Sequence, residues 1–174
     1  MPFETPRLLV RDFTLEDSVV IYRLSQEEGM KRFIPDQVYE DEAEAADVLG
    51  FLIAQYADPE ATRSGTYVQA VELKESGELV GHVGLSPVDG GTEIGYAIAE
   101  AHQGKGYATE LVRGTVRWAL RDEGLPCLLG IVDSDNRASI RVLEKAEFAL
   151  VDERERTSHG GMAQVRTYRA GAPR

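Results

Sequence analysis

Three β-type runs follow one another closely in this chain: TYVQAVEL (66–73), LVGHVGLS (79–86) and TEIGYAIA (92–99). The turn signals ESGE and VDGG separate them, so each strand can fold back on the one before. The spacing predicts an antiparallel meander. Helices flank it. In EDEAEAADVLGFLIAQYA (40–57), Ala45, Val48, Leu49, Leu52, Ile53 and Tyr56 recur at i, i+3, i+4 spacing, which predicts a helix with one buried face. Beyond residue 106, Ala108, Leu111, Val112, Thr115, Val116, Ala119 and Leu120 mark another apolar face, with Glu110, Arg113, Arg117 and Arg121 pointing away. Gly124 and Pro126 stop that helix.

The remaining segments complete one domain over 1–174. PRLLVRDF (6–13) has strand composition, with Leu8 and Val10 on one face, and Thr14 with Asp17 opens a helix through about Leu24. DPEATRSG (58–65) reads as a loop and CLLGIVD (127–133) as a short buried strand. SDN opens a further helix with Ser139, Val142, Leu143 and Ala146 on one face; FALVDERE and QVRTYR close the chain as a hairpin around SHGGMA. The order β-α-α-β-β-β-α-β-α-β-β predicts an α/β (α+β layered) fold. It has a mixed, mostly antiparallel sheet with helices on both faces, and does not alternate as βαβ.

Composition excludes several roles. A net charge of −11 argues against a nucleic-acid partner and suits a cationic one. No apolar run approaches the roughly 18 residues that span a bilayer, and MPFETPRLLVRDF has no signal core. The single cysteine, Cys127, fits a reducing cytoplasm. His82, His102 and His159 are scattered without ligand spacing, so no metal is expected.

The stretch HQGKGYATE (102–110) carries the chemistry. Helix-initial amides lack internal partners and sit at the positive end of the dipole, so they bind an anion where no side chain blocks it. Gly104 and Gly106 remove that obstruction, and Ala108 adds only a methyl. The bland alternative is a tight strand-to-helix turn. P-loop spacing is lacking, and a dinucleotide fingerprint would need glycine or alanine where Thr109 stands. Gln103-Gly104-Lys105-Gly106-Tyr107-Ala108 instead matches Q/R-x-x-G-x-G/A, the signature of GCN5-related N-acetyltransferases (GNAT). TPRLLVRDFTLEDS, EIGYAIAEAHQGKGYATE and NRASIRVLEKAEF (136–148) resemble, in the same order, the RimJ/RimL-like branch that acetylates ribosomal-protein N-termini.

That resemblance implies acetyl-CoA as donor and an amine as acceptor, either a protein N-terminus or a small molecule. It implies that amides from Gln103, Gly104, Lys105, Gly106, Tyr107 and Ala108, with Thr109 beside them, hold the pyrophosphate. Ile98-Ala99 would pair with the pantetheine arm, Asn136 would ligate that arm, and Ser139 would donate to the leaving thiolate. Many relatives carry a tyrosine at the position of Leu143, and most carry glycine at Glu147.

An amine attacks only when neutral, so the site needs a base. Glu93 is the first candidate: it shares a strand face with Gly95 and Ala97, and the branch carries glutamate in this EIGY context. Its alternative is a solvated strand-end carboxylate. His82 is second. Lys105 and Arg141 are candidate phosphate contacts or solvated charges; Cys127, Tyr96 and Trp118 read as core or cleft wall. Glu40, Asp41, Glu42, Glu44 and Asp47 complement a helix dipole or form an acidic lip for a cationic acceptor. A catalytically inactive acyl-CoA-binding sensor and a nucleotide-binding regulatory module are the competing readings. Monomer and homodimer both stay open.

Overall fold

The computed structural model describes residues 2–58, 65–158 and 161–171. Most of the expected 58–65 loop, and His159 in the last turn, lie outside them. The strands are β1 (Phe3–Glu4), β2 (Leu8–Arg11), β3 (Tyr67–Leu73), β4 (Leu79–Val88), β5 (Gly91–Ile98), β6 (Cys127–Asp133), β7 (Ala149–Ser158) and β8 (Gly161–Gly171). The helices are α1 (Ser18–Ser25), α2 (Glu28–Phe33), α3 (Glu42–Gln55), α4 (Tyr107–Arg117) and α5 (Arg137–Lys145). One eight-stranded sheet runs β1-β2-β3-β4-β5-β6-β8-β7. The mixed, mostly antiparallel sheet agrees with the expectation, and β3, β4 and β5 form the meander.

The element order needs two additions. β1 is a two-residue strand pairing Phe3 with Val10 and Glu4 with Leu9, too short to show a period. α2 is six residues long and follows Glu27, whose side chain makes no capping bond, so neither periodicity nor a start signal announces it. A difference of form appears after α4, where Trp118–Asp122 winds into a π turn before Gly124 (φ 68°) breaks the chain away.

Periodicity places the layers. Leu8, Val10, Leu111, Val112, Leu128 and Leu143 are buried between the sheet and α4/α5. Phe13, Ile21, Leu49 and Ala70 close the opposite face beneath α1 and α3. The start of α3 is capped from its own sequence: Asp41 accepts from the Glu44 N–H, and the Glu44 carboxylate reaches back to the Glu40 N–H.

The seam between β5 and β6 positions the site. These strands run parallel and pair only at Thr92–Leu128 and Glu93–Leu129, then diverge. The Ala99 N–H donates to the Val80 carbonyl at 2.8 Å. Antiparallel ladders engage every second residue, so Glu93, Gly95 and Ala97 turn their backbone groups to β4. Ile94, Tyr96 and Ile98 turn theirs towards β6, and beyond the last pair those of Tyr96 and Ile98 meet the gap.

Helix α5 ends unusually. Phe148 N–H donates to Leu143 C=O and Glu147 N–H to Glu144 C=O, both at 3.0 Å, the double bond pattern of a Schellman cap. Its left-handed position is Glu147, at φ 65°. The turn keeps its geometry and accepts a Cβ where glycine is free of strain.

Candidate active site

The glycine loop follows β5 directly. Gly104 (φ 75°) and Gly106 (φ 84°) are both left-handed, conformations that L side chains rarely adopt. A Cβ on Gly104 would meet no atom within 4 Å, so the loop's outer surface is open. The first α-helical bond runs from the Glu110 N–H to the Gly106 carbonyl, which leaves the preceding amides of the helix start without helical acceptors. This bare, outward-facing row of N–H groups suits a diphosphate.

The turn between β1 and β2 holds that loop. The Arg7 guanidinium donates from Nη1 to the Lys105 carbonyl (3.0 Å), pairs through Nε with Glu110 Oε2 (2.6 Å), and lies 4.5 Å from the centre of the Tyr107 ring. Glu110 also accepts from Thr5 Oγ and the Arg7 N–H. Burial alone would raise the Glu110 carboxyl, but these donors and the Arg7 charge hold it below the usual carboxylate range.

Two cavities meet in the gap. One, of about 380 Å³, takes its wall from Ile98, Gln103, Gly104, Gly106, Tyr107, Ala108 and Thr109, with Arg141 and Lys145 of α5 opposite. The other, of about 460 Å³, lies over the β3–β4–β5 floor and contains His82, Glu93 and Arg156. Phe33, Ile34, Tyr96, Asn136 and Ser139 line both. A molecule in either cavity reaches the other past these five side chains.

The sheet register makes the second cavity. Ser86 faces Glu93, Gly84 faces Gly95 and His82 faces Ala97, so glycines clear the floor between a carboxylate and an imidazole. Burial raises the Glu93 carboxyl above its ordinary value, and the Arg156 charge partly offsets this. His82 is 7% exposed, and burial pushes its imidazole down to about 4. It is neutral near pH 7.

At the junction, Tyr96 Oη lies 2.8 Å from Ser139 Oγ and 3.3 Å from the Ser139 carbonyl. Burial raises the Tyr96 phenol to about 12, and its contact with Ser139 partly opposes this. Asn136 is the N-cap of α5, its side-chain oxygen accepting from the Ser139 N–H at 3.0 Å. Its amide NH₂ donors remain for the cavity it lines.

Not every sequence candidate meets here. Ala99 has both backbone groups engaged, its carbonyl by the His102 N–H, and the Gln103 side-chain amide caps the Ile98 carbonyl at 2.9 Å. Of that pair, the Ile98 N–H faces the gap. The Lys105 ammonium turns back to the Ala101 carbonyl and lines neither cavity. Glu40, Asp41, Glu42, Glu44 and Asp47 line neither cavity either, so of the two readings the helix start holds and the alternative acidic lip does not. The carboxylates in the second cavity are Asp36, Glu93 and Asp133. Cys127 is fully buried, with Arg169 Nη2 3.2 Å from its sulfur, and Trp118 stacks between Phe3 and Tyr67 in the core. Among the described residues no His, Cys, Asp or Glu cluster could hold a metal, and no helix is long and apolar enough to cross a membrane.

Sequence reasoning had Tyr96 as core or cleft wall but missed its bond to Ser139, and it missed Arg7 altogether. For Tyr96 the available signal was its hydroxyl, which needs a partner when the ring is buried. Arg7 and Glu110 lie too far apart in sequence for any local pattern to pair them.

The model of the acetyltransferase (GNAT) domain family matches residues 7–149. The chain belongs to this family. It is an N-acetyltransferase, of a family that uses acetyl-CoA. It is 28% identical over 148 residues to the uncharacterized N-acetyltransferase YoaA of Bacillus subtilis, covering 83% of this chain and 81% of the relative. The GNAT-family acetyltransferase of Bacillus anthracis superposes with a TM-score of 0.84 at 20% identity, over 98% of both chains. RimL, a ribosomal L7/L12 alpha-N-protein acetyltransferase solved in complex with coenzyme A, superposes at 0.81 and 16% identity, over 98% of this chain and 97% of that one. These two likenesses are of fold.

Proposed function

We propose that this GNAT enzyme moves the acetyl group of acetyl-CoA to a primary amine by direct attack of the amine on the thioester. The meeting of the two cavities at Tyr96, Asn136 and Ser139 carries the reading. One cavity offers the free amides of the glycine loop, and the other a desolvated carboxylate. In this scheme the amides from Gly104 to Thr109 hold the diphosphate, and Arg141 and Lys145 add positive charge beside it. The open edge of β5 pairs with the pantetheine amides, and Asn136 donates to them. Acetyl-CoA supplies the activated acyl group.

The amine enters over Gly84 and Gly95. Glu93 takes its proton directly or through water, and its raised affinity for protons suits a base working near neutral pH. Backbone N–H groups on the open edge of β5 are the donors for the developing oxyanion. Glu93 and Asp133 outnumber Arg156 in the cavity, which favours an acceptor carrying positive charge. RimL acts on a ribosomal protein, so a protein N-terminus stands beside small amines as acceptor class.

The test is CoA release from a panel of amines and N-terminal peptides. Glu93→Gln keeps size but cannot take the proton, so kcat should fall about 10²–10⁴-fold with acetyl-CoA affinity unchanged. The rate should partly recover at high pH, where more amine is already neutral. A larger loss in His82→Gln would transfer the base role to His82. Acetyl-CoA binding without turnover on any amine would mark a sensor.

A further inference from the structure

The family resemblance gives Ser139 to the leaving thiolate but leaves the phenol beside it unexplained. Tyr96 and Ser139 come from different elements, β5 and α5, and their hydroxyls touch at 2.8 Å on the wall common to both cavities. The direction of that bond follows from chemistry. A phenol is a stronger hydrogen-bond donor and a weaker acceptor than an alkyl alcohol, so Tyr96 donates and Ser139 accepts. The alternative acceptor, the Ser139 carbonyl, is farther at 3.3 Å and lies in a helical turn where main-chain N–H groups compete for it. With its oxygen already satisfied, Ser139 has its own O–H left to aim into the gap.

We infer that Tyr96 is a positioning residue for thiolate departure, orienting and polarising the Ser139 hydroxyl so that it donates to the sulfur as the C–S bond breaks. The inference rests on the acetyl-transfer reading above. The balance is simple. The amine nitrogen forms the C–N bond and gives its proton to the base; the C–S electron pair leaves on sulfur. The thiolate is held by the Ser139 O–H until it takes a proton from solvent or from the protonated base. Neither hydroxyl is ionised, in keeping with the burial that holds the Tyr96 proton in place. Two linked hydroxyls polarise one another, so the pair donates more strongly than a lone serine. The arrangement also accounts for a serine and a leucine sufficing where a tyrosine on α5 is absent. Leu143 is buried against Gly130, and the phenol arrives from the strand instead.

The experiment is a double-mutant cycle of Tyr96→Phe and Ser139→Ala, run with acetyl-CoA and with an acetyl thioester of a more acidic aryl thiol. Wild type must first release CoA with an amine; failure there would overturn the acetyl-transfer reading and the inference together. With wild type active, Ser139→Ala should lower kcat about 10–100-fold, the worth of one hydrogen bond to a developing anion, and Tyr96→Phe about 5-fold, the share it lends through that bond, with KM for acetyl-CoA little changed in both. The double variant should be no slower than Ser139→Ala alone. The Tyr96→Phe loss should shrink to within about 3-fold for the aryl thioester, whose departure needs less help. Losses that multiply in the cycle, or that persist undiminished with the aryl donor, would overturn the relay and leave acetyl transfer standing.

Discussion

Replacing Glu147 by glycine should make the protein more stable without touching its site. Glu147 sits at φ 65°, where its Cβ crowds the following carbonyl, and this costs about 1–2 kcal/mol. Glycine removes the crowding but loses about 0.5–1 kcal/mol more backbone freedom on folding. The balance favours glycine by about 1 kcal/mol. For a chain of this length each kcal/mol moves Tm by about 2–4 °C, so a rise of that size is expected by scanning calorimetry or thermal shift. The lost carboxylate is a separate gain, because a negative charge at a helix C-terminus opposes the dipole by about 0.3–1 kcal/mol. Glu147→Ala shares that gain and keeps the Cβ, so the difference between the two variants isolates backbone strain. Glu147 lines neither cavity, and acetyl-CoA affinity should be identical in all three proteins. A glycine variant no more stable than the alanine variant would refute the strain argument.

Gly106→Asp should abolish stabilisation by acetyl-CoA, which at a hundred times Kd adds about 2.7 kcal/mol, because a side chain and a negative charge would meet the diphosphate; thermal shift reads it directly. Arg7→Ala should weaken acetyl-CoA binding about tenfold with kcat nearly intact, and Arg7→Lys should restore little of it, since lysine cannot both stack on Tyr107 and bond two acceptors. His82 gives a pH signature. Its folded value near 4 lies below the ordinary 6.5, so between those values the unfolded chain binds the extra proton and stability rises with pH. Acidification through this window should cost about 3 kcal/mol, and His82→Gln should flatten that part of the denaturation profile.

The meander and α5 were legible because their periods of 2 and 3.6 run long enough to separate from chance, and Gly104 and Gly106 announced a backbone with special φ. β1 and α2 span too few residues for any period to emerge. The acidic run before α3 was ambiguous by nature: dipole complementarity and a cationic acceptor call for the same residues, and only the position of the helix decides. Tyr96 was hidden by its neighbours. Alternation puts it on the face opposite Glu93 and Gly95, which reads as core, and only the divergence of β5 from β6 lets its hydroxyl reach Ser139.

That divergence also has a mechanical side. Two residue pairs join one five-strand leaf to a three-strand leaf, so few main-chain bonds resist their separation, and the bracing comes from α4 and α5 behind the seam. One strut is explicit, the bond from Arg113 of α4 to the Lys145 carbonyl at the end of α5. An extended molecule bonded along the edges of both leaves would act as an added strand, and part of its binding free energy would go into closing the hinge. Amide exchange at Tyr96, Ile98, Ile131 and Asp133 would then slow together on binding, although they belong to two different leaves. The enzyme's donor is in this sense also a fastener of its own fold.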